Sequence, residues 1–184
     1  MKIFGIGLSR TGTKSLTAAL KMLGFKIIHY PHDRKTYKEL TTGNCNLSLL
    51  KKYDGITDIT IVPFYPQIDI LFPGSKFILT LREKEAWLAS MKNYYGGKPL
   101  PVLLPDFFYE RKIRRFLRAA VYGCYTFDRE RMSYVYDSHL QKVRRYFDGS
   151  REKLLEIDIT AGEGWEKLCP FLGRPVPTQP FPRI

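Results

Sequence analysis

The chain has 184 residues, 44% of them hydrophobic and 26% charged, enough for one domain with a real core, too few for two comfortable domains and too balanced for wholesale disorder. Lys plus Arg number 30 against 18 Asp plus Glu, a net charge of +12. An anionic partner is therefore expected: nucleic acid, a phosphorylated or sulfated small molecule, or an acidic surface.

In chain order, residues 2–7 (KIFGIG) form a short apolar run ending in glycine. Leu16, Ala19, Leu20 and Leu23 then fall on one face of a helix over 12–23, and Gly24 stops it. Residues 25–30 (FKIIHY) read as a second strand closed by Pro31, and 33–53 as mostly helical with a break near Gly43-Asn44. β-Branched residues mark a third strand over 55–62 (GITDITIV). Pro63 and Pro66 permit a helix whose apolar face is Ile68, Leu71 and Phe72. Residues 76–81 (KFILTL) are the clearest buried strand, followed by a helix at about 84–94 bearing Trp87, Leu88 and Met91.

The stretch 96–106 is rich in glycine and proline and reads as a loop. Aromatic residues flank it (Tyr94, Tyr95, Phe107, Phe108, Tyr109). Two amphipathic helices are expected over 107–131 and 133–147. Ile113, Phe116, Leu117, Ala120 and Val121 form the buried stripe of the first; Tyr136, Leu140, Val143 and Phe147 that of the second. A late strand at 153–159, a short helix at 164–172 and an extended tail from Arg174 complete the chain. Strands alternating with helices predict a three-layer α/β/α domain with a mostly parallel sheet, built as one unit over 1–184. In such sheets ligands bind beyond the C-terminal strand ends.

Cys45, Cys124 and Cys169 lie far apart without CxxC spacing, so neither a disulfide framework nor a zinc ribbon is expected. The odd count suits a reducing compartment. No apolar run has the length of a signal peptide or a transmembrane segment. A soluble, cytoplasmic protein is the expectation.

The first strand end carries Gly5-Ile6-Gly7-Leu8-Ser9-Arg10-Thr11-Gly12-Thr13-Lys14-Ser15 and opens into a helix. Helix N-termini present unpaired N–H groups and partial positive charge, glycine lets the backbone approach an anion, and hydroxyls add donors. The segment reads as a phosphate cradle. Arg10 breaks the GxGxxG dinucleotide pattern, and Thr13 follows Gly12 where a Walker A loop needs lysine. Glu156 also interrupts the run before Asp158 that would carry a Walker B acid.

Arg82 ends the KFILTL strand, and Ser90 lies eight residues on, about 12 Å along a helix. Together the loop and this pair resemble the sulfotransferase family, which uses 3′-phosphoadenosine-5′-phosphosulfate as donor. Arg10-Thr11-Gly12-Thr13-Lys14 is similar to its 5′-phosphosulfate loop, Arg82 and Ser90 to its 3′-phosphate motif, and the segment 164–173 (GWEKLCPFLG) to its C-terminal ending. The resemblance implies a P-loop NTPase-like scaffold and transfer of a sulfuryl group to a hydroxyl or amine, with no metal. On that resemblance Ser9, Arg10, Thr11, Gly12, Thr13, Lys14 and Ser15 hold the 5′ end of the donor, and Arg82 and Ser90 its 3′-phosphate. Arg10 neutralises the leaving oxygen and Asp58 is the acceptor's base, with Asp54, His29, His32 and His139 as alternatives. Lys14 replaces a hydroxyl of the family loop. Ser15 replaces an adenine-stacking tryptophan, so that stacking comes from elsewhere, with Trp165 one candidate, or is absent. The backbone of 161–164 substitutes for a missing basic segment.

Arg111, Arg114, Arg115 and Arg118 recur at helical spacing, expected opposite the Ile113 stripe. They read as a solvated face or, more sharply, as a site for an acidic acceptor, an anionic membrane surface or, third, RNA; a small-molecule or glycan acceptor is expected and nucleic acid is not. The rival readings are a P-loop kinase, needing Mg²⁺ and a carboxylate to hold it, and a non-catalytic anion-binding module.

Overall fold

The computed structural model describes residues 1–96 and 109–184. The elements are β1 (Ile3–Gly5), α1 (Thr13–Met22), β2 (Ile27–His29), α2 (Arg34–Thr41), β3 (Gly55–Thr57), α3 (Tyr65–Leu71), β4 (Lys76–Thr80), α4 (Lys84–Tyr95), α5 (Tyr109–Tyr122), α6 (Arg129–Tyr146), β5 (Leu154–Ile157) and α7 (Trp165–Leu172). All four strand pairings are parallel, in the order β2-β3-β1-β4-β5. The α/β architecture is the one the alternating pattern predicts.

Strand alternation builds two cores. Phe4, Ile56, Phe77 and Leu79 face a large cluster with side chains of α2, α3, α4, α5 and α6. Their neighbours Ile3, Ile27, Ile78 and Ile157 face the opposite way, onto α1 and α7. Handedness explains the division. Only the β1-to-β2 crossover runs toward the β2 edge past β3; the later ones run the other way. Right-handed connections therefore place α1 on one face and α2 to α6 on the other. The chain reverses direction across the sheet at β1, and such a switch point opens a crevice at the C-terminal rim.

Two helix boundaries differ from expectation. The expected helix over 107–131 breaks after Tyr122: Gly123 takes φ +68°, and its N–H bonds to the Arg118 and Ala119 carbonyls. Asp128 then caps α6 by accepting the Arg131 N–H at 2.8 Å. Arg131 in turn donates to the Tyr122 carbonyl at 2.7 Å and so closes the end of α5. The expected apolar stripes shift accordingly, with Ala120 exposed and Arg118 buried. In α3, Ile68 is buried but Leu71 is exposed. The expected helical stretch 33–53 resolves into α2 and a 3₁₀ turn at Ser48–Lys51. Loop residues 97–106 and the pair Phe107–Phe108 lie outside the described residues.

Candidate functional site

The β1–α1 loop lies at the centre of the C-terminal rim and is held from beneath. Thr11 Oγ1 donates to the Leu8 carbonyl at 2.6 Å. The Thr80 hydroxyl, 2.6 Å away at the end of β4, must therefore donate to Thr11. Trp87 of α4 donates its indole N–H to the Ser9 carbonyl at 2.9 Å, and the Ser9 N–H donates to the Tyr122 hydroxyl at 3.1 Å. Gly7 is required by close approach: a Cβ there would stand 1.8 Å from Thr80 Oγ1. Gly12 begins α1 with no side-chain cap. The first-turn N–H groups of α1 are thus left for an anion.

Three non-glycine residues take left-handed backbone: Arg10 (φ 71°), Tyr30 (φ 47°) and Asp58 (φ 75°). All three lie just beyond the ends of β1, β2 or β3. Each such residue costs roughly 1–2 kcal/mol, a strain that gathers at functional sites. The same three residues line one cleft of about 650 Å³.

Ser9, Arg10, Gly12, Thr13, Lys14, Ser15, Asp58 and Arg82 all border that cleft, so the structure gathers most residues singled out from the sequence. Thr11 does not border it; its role is to pin the loop. Ser90 does not border it either. Its Oγ accepts Arg10 Nε–H at 3.0 Å and joins the two motifs from behind. Arg82 turns toward the loop and donates Nη1–H to the Arg10 carbonyl at 3.2 Å. Its Nε is buried and has no partner among the described residues.

Asp58 is buried at the cleft floor. Its Oδ1 accepts from the Ser9 hydroxyl at 2.8 Å and the Ile59 N–H at 2.6 Å. Its Oδ2 accepts from Thr13 Oγ1 at 3.2 Å and faces His29 Nε2 at 3.4 Å. The other His29 nitrogen meets the Thr17 and Thr57 hydroxyls at 3.3 and 3.2 Å. Burial lowers the His29 pKa; Asp58 opposes this, and the Lys14 cation adds to it. His32 lines the cleft with Nδ1 donating to the Tyr30 carbonyl at 3.0 Å, which leaves Nε2 as an acceptor.

Several alternatives fall away. His139 is buried beneath β1 and donates Nε2–H to the Ile6 carbonyl at 2.8 Å, and burial depresses its pKa to about 4. Asp54 sits at the opposite end of β3 and accepts the Lys26 N–H at 2.7 Å. Trp165 cannot stack on adenine: its ring packs on Phe181 and its N–H bonds to the Gln179 carbonyl. The N–H groups of 161–164 are spent within their own turn, on Asp158, Ile159 and Glu166.

Sequence reasoning missed Arg183, Tyr30 and Tyr122. Arg183 lines the cleft from the tail, bonded to the carbonyls of Ile159 and Gly162. No sequence signal marks it, because the Trp165–Phe181 packing that folds the tail back is a tertiary contact. Arg114 and Arg118 of the arginine series also border the cleft. Six cations (Arg10, Lys14, Arg82, Arg114, Arg118, Arg183) therefore surround it, against the carboxylates of Asp58 and Glu110. Such a cleft concentrates polyanions. Among the described residues, no helix is long and apolar enough to cross a membrane, and no cluster of three His, Cys, Asp or Glu side chains is placed to hold a metal.

Residues 2–184 match the model of the sulfotransferase domain. The chain is also 30% identical to the "Ava biosynthesis cluster protein M" of Aspergillus versicolor, in an alignment covering all of this chain and 80% of that protein. On both grounds the chain belongs to the sulfotransferase domain family.

Proposed function

We propose that this protein is a cytoplasmic enzyme that moves a sulfuryl group from 3′-phosphoadenosine-5′-phosphosulfate to a hydroxyl or amine of a small-molecule acceptor. The observation that carries the reading is Arg82: its guanidinium reaches the phosphate-cradle loop, bonding the Arg10 carbonyl while keeping a buried Nε without a partner among the described residues. A buried guanidinium N–H left unbonded costs free energy that an anion would recover. Arg82 thus reaches the cleft rim beside the loop while Ser90 joins Arg10 from behind, which supports a nucleotide with phosphates at both 3′ and 5′ positions.

The residues present fit that donor. The uncapped start of α1, the hydroxyls of Thr13 and Ser15, and Lys14 would hold its 5′ end; Arg82 would hold the 3′-phosphate, assisted by Arg183. Ser90 accepts from Arg10 and keeps its own O–H to donate. When bound, the donor supplies a sulfuryl group activated by its phosphate leaving group. Transfer breaks the bond from sulfur to the phosphate oxygen and forms one to the acceptor oxygen or nitrogen. Arg10 stabilises the charge left on the phosphate without giving up its proton. Asp58 receives the acceptor's proton, exchanging one of its present partners for the acceptor hydroxyl. The basic loop supplies the charge neutralisation that a metal gives in phosphoryl transfer.

One observation favours a second reading. The Thr13 hydroxyl at the start of α1 bonds Asp58 at the end of the neighbouring strand β3. A hydroxyl and a strand-end carboxylate so placed are the pair that holds Mg²⁺ in P-loop phosphoryl transfer.

Calorimetric titration separates these readings. With chelator present, adenosine 3′,5′-bisphosphate should bind, and Arg82→Ala should weaken it about 10- to 100-fold, the loss of one or two charge-assisted hydrogen bonds. Preference for Mg-ATP would favour phosphoryl transfer. Nucleotide binding without transfer to any member of a broad acceptor panel would leave a binding module.

A further inference from the structure

Arg118 occupies the wall of the cleft, one helical turn beyond Arg114 on α5, and is only 7% exposed. A guanidinium so deeply buried ordinarily has a carboxylate partner, because desolvation costs several kcal/mol. Among the described residues, none lies within ion-pair distance of it. Its hydrogen bond is from Nη1 to the Tyr125 carbonyl at 3.5 Å, the outer limit of such a contact.

Its support is aromatic. The guanidinium carbon lies 4.2 Å from the Tyr95 ring centre and 5.6 Å from that of Tyr94. Cation–π contact uses the flat face of the group and leaves the in-plane N–H donors for another partner. The two side-chain carboxylates bordering the cleft are already engaged. Glu110 accepts from Arg114 at 2.7 Å, and Asp58 serves the donors around it.

Arg10 lies against the same Tyr94 ring, 5.7 Å from its centre. Arg118 and Arg10 are therefore no farther apart than their two distances to that ring combined. Arg10 belongs to the transfer end of the cleft on the reading proposed above, and Arg118 forms a separate cationic pole. Tyr30, Tyr94 and Tyr122 line the cleft with these groups.

We propose that the acceptor is a hydroxylated aromatic acid whose carboxylate bonds Arg118, whose ring lies among the cleft tyrosines, and whose hydroxyl is presented to Arg10 and Asp58. The assignment of the hydroxyl rests on the sulfuryl-transfer reading; the anion site at Arg118 does not. Arg118 has the donors for a bidentate carboxylate contact that a lysine cannot reproduce.

The test pairs 3-(4-hydroxyphenyl)propionate with its uncharged methyl ester in calorimetric titration of the full chain. The wild-type protein should bind the acid at least tenfold more tightly than the ester. Arg118→Gln should abolish that preference, and Arg118→Lys should keep part of it, with thermal melting reporting whether each variant folds. Equal binding of acid and ester by the wild type, binding of neither, or a preference that survives Arg118→Gln overturns the proposal. The wild-type comparison decides even if both variants misfold. Transfer of radiolabelled sulfuryl to the same acid is followed in parallel. A retained acid preference without transfer to this acid or to any member of the acceptor panel sinks the sulfotransferase reading and upholds the anion site. Transfer to acid and ester alike, with equal binding, sinks the anion site alone.

Discussion

Replacing Gly7 by alanine should unlock the anion loop. The added Cβ would stand 1.8 Å from Thr80 Oγ1, 2.8 Å from the Thr80 carbonyl oxygen and 2.9 Å from Thr11 Oγ1. These contacts are far inside van der Waals range, and the loop is sandwiched between β4 and α4. Forcing extra volume into a packed site costs about 1–3 kcal/mol. The Thr80 side chain must also leave Thr11, breaking a buried 2.6 Å hydrogen bond for roughly another 1–3 kcal/mol. The expected destabilisation is about 4 kcal/mol, a large share of the ~5–15 kcal/mol that holds a domain folded. Urea unfolding reads it as a lower midpoint at constant slope. Thr80→Ala removes the nearest clashing atom, while Thr11 keeps its bond to the Leu8 carbonyl. The double variant should therefore be more stable than the single losses added together, by about 1–3 kcal/mol. A Gly7→Ala loss under about 1 kcal/mol, or strict additivity with Thr80→Ala, would refute this account of how the loop is held.

Two further outcomes follow from buried titratable groups. The folded-state pKa of His139, about 4, lies below the ordinary 6.5, so between those values the unfolded chain binds the extra proton. Stability should be full above pH 6.5 and fall by about 3 kcal/mol as pH drops toward 4. His139→Gln, which keeps a donor for the Ile6 carbonyl, should flatten that slope in urea midpoints measured at pH 7 and 4.5; an unchanged slope would place the effect elsewhere. Asp58→Asn should lower the turnover number about 10²- to 10⁴-fold with radiolabelled donor. Turnover near the wild-type value would remove Asp58 as the base and turn attention to His32, whose Nε2 keeps an open acceptor position.

Much of this molecule follows from local pattern. Short apolar or β-branched runs mark the strands and helical spacing of apolar residues marks most helices, because burial is a local requirement. The strand–loop–helix at 3–22 announces its own chemistry, since the N–H groups, glycines and hydroxyls that make an anion cradle are contiguous. Arg82 and Ser90 are legible as a spaced pair. Their relation to the loop is not, because the contacts through Arg10 span more than seventy residues.

Tertiary structure decided the rest. Trp165 is spent on Phe181, and the tail it anchors brings Arg183 to the cleft. His139 sits under the sheet, tied to a carbonyl that no spacing rule connects to it. Arg118 occupies the edge between the polar and apolar faces of α5, where helical periodicity cannot say whether a side chain meets water or a cleft wall. Sequence specifies elements, and the loop chemistry carried by contiguous residues, through near-neighbour physics. Which charges share a cavity depends on how sheet order and crossover handedness bring distant strand ends to one rim.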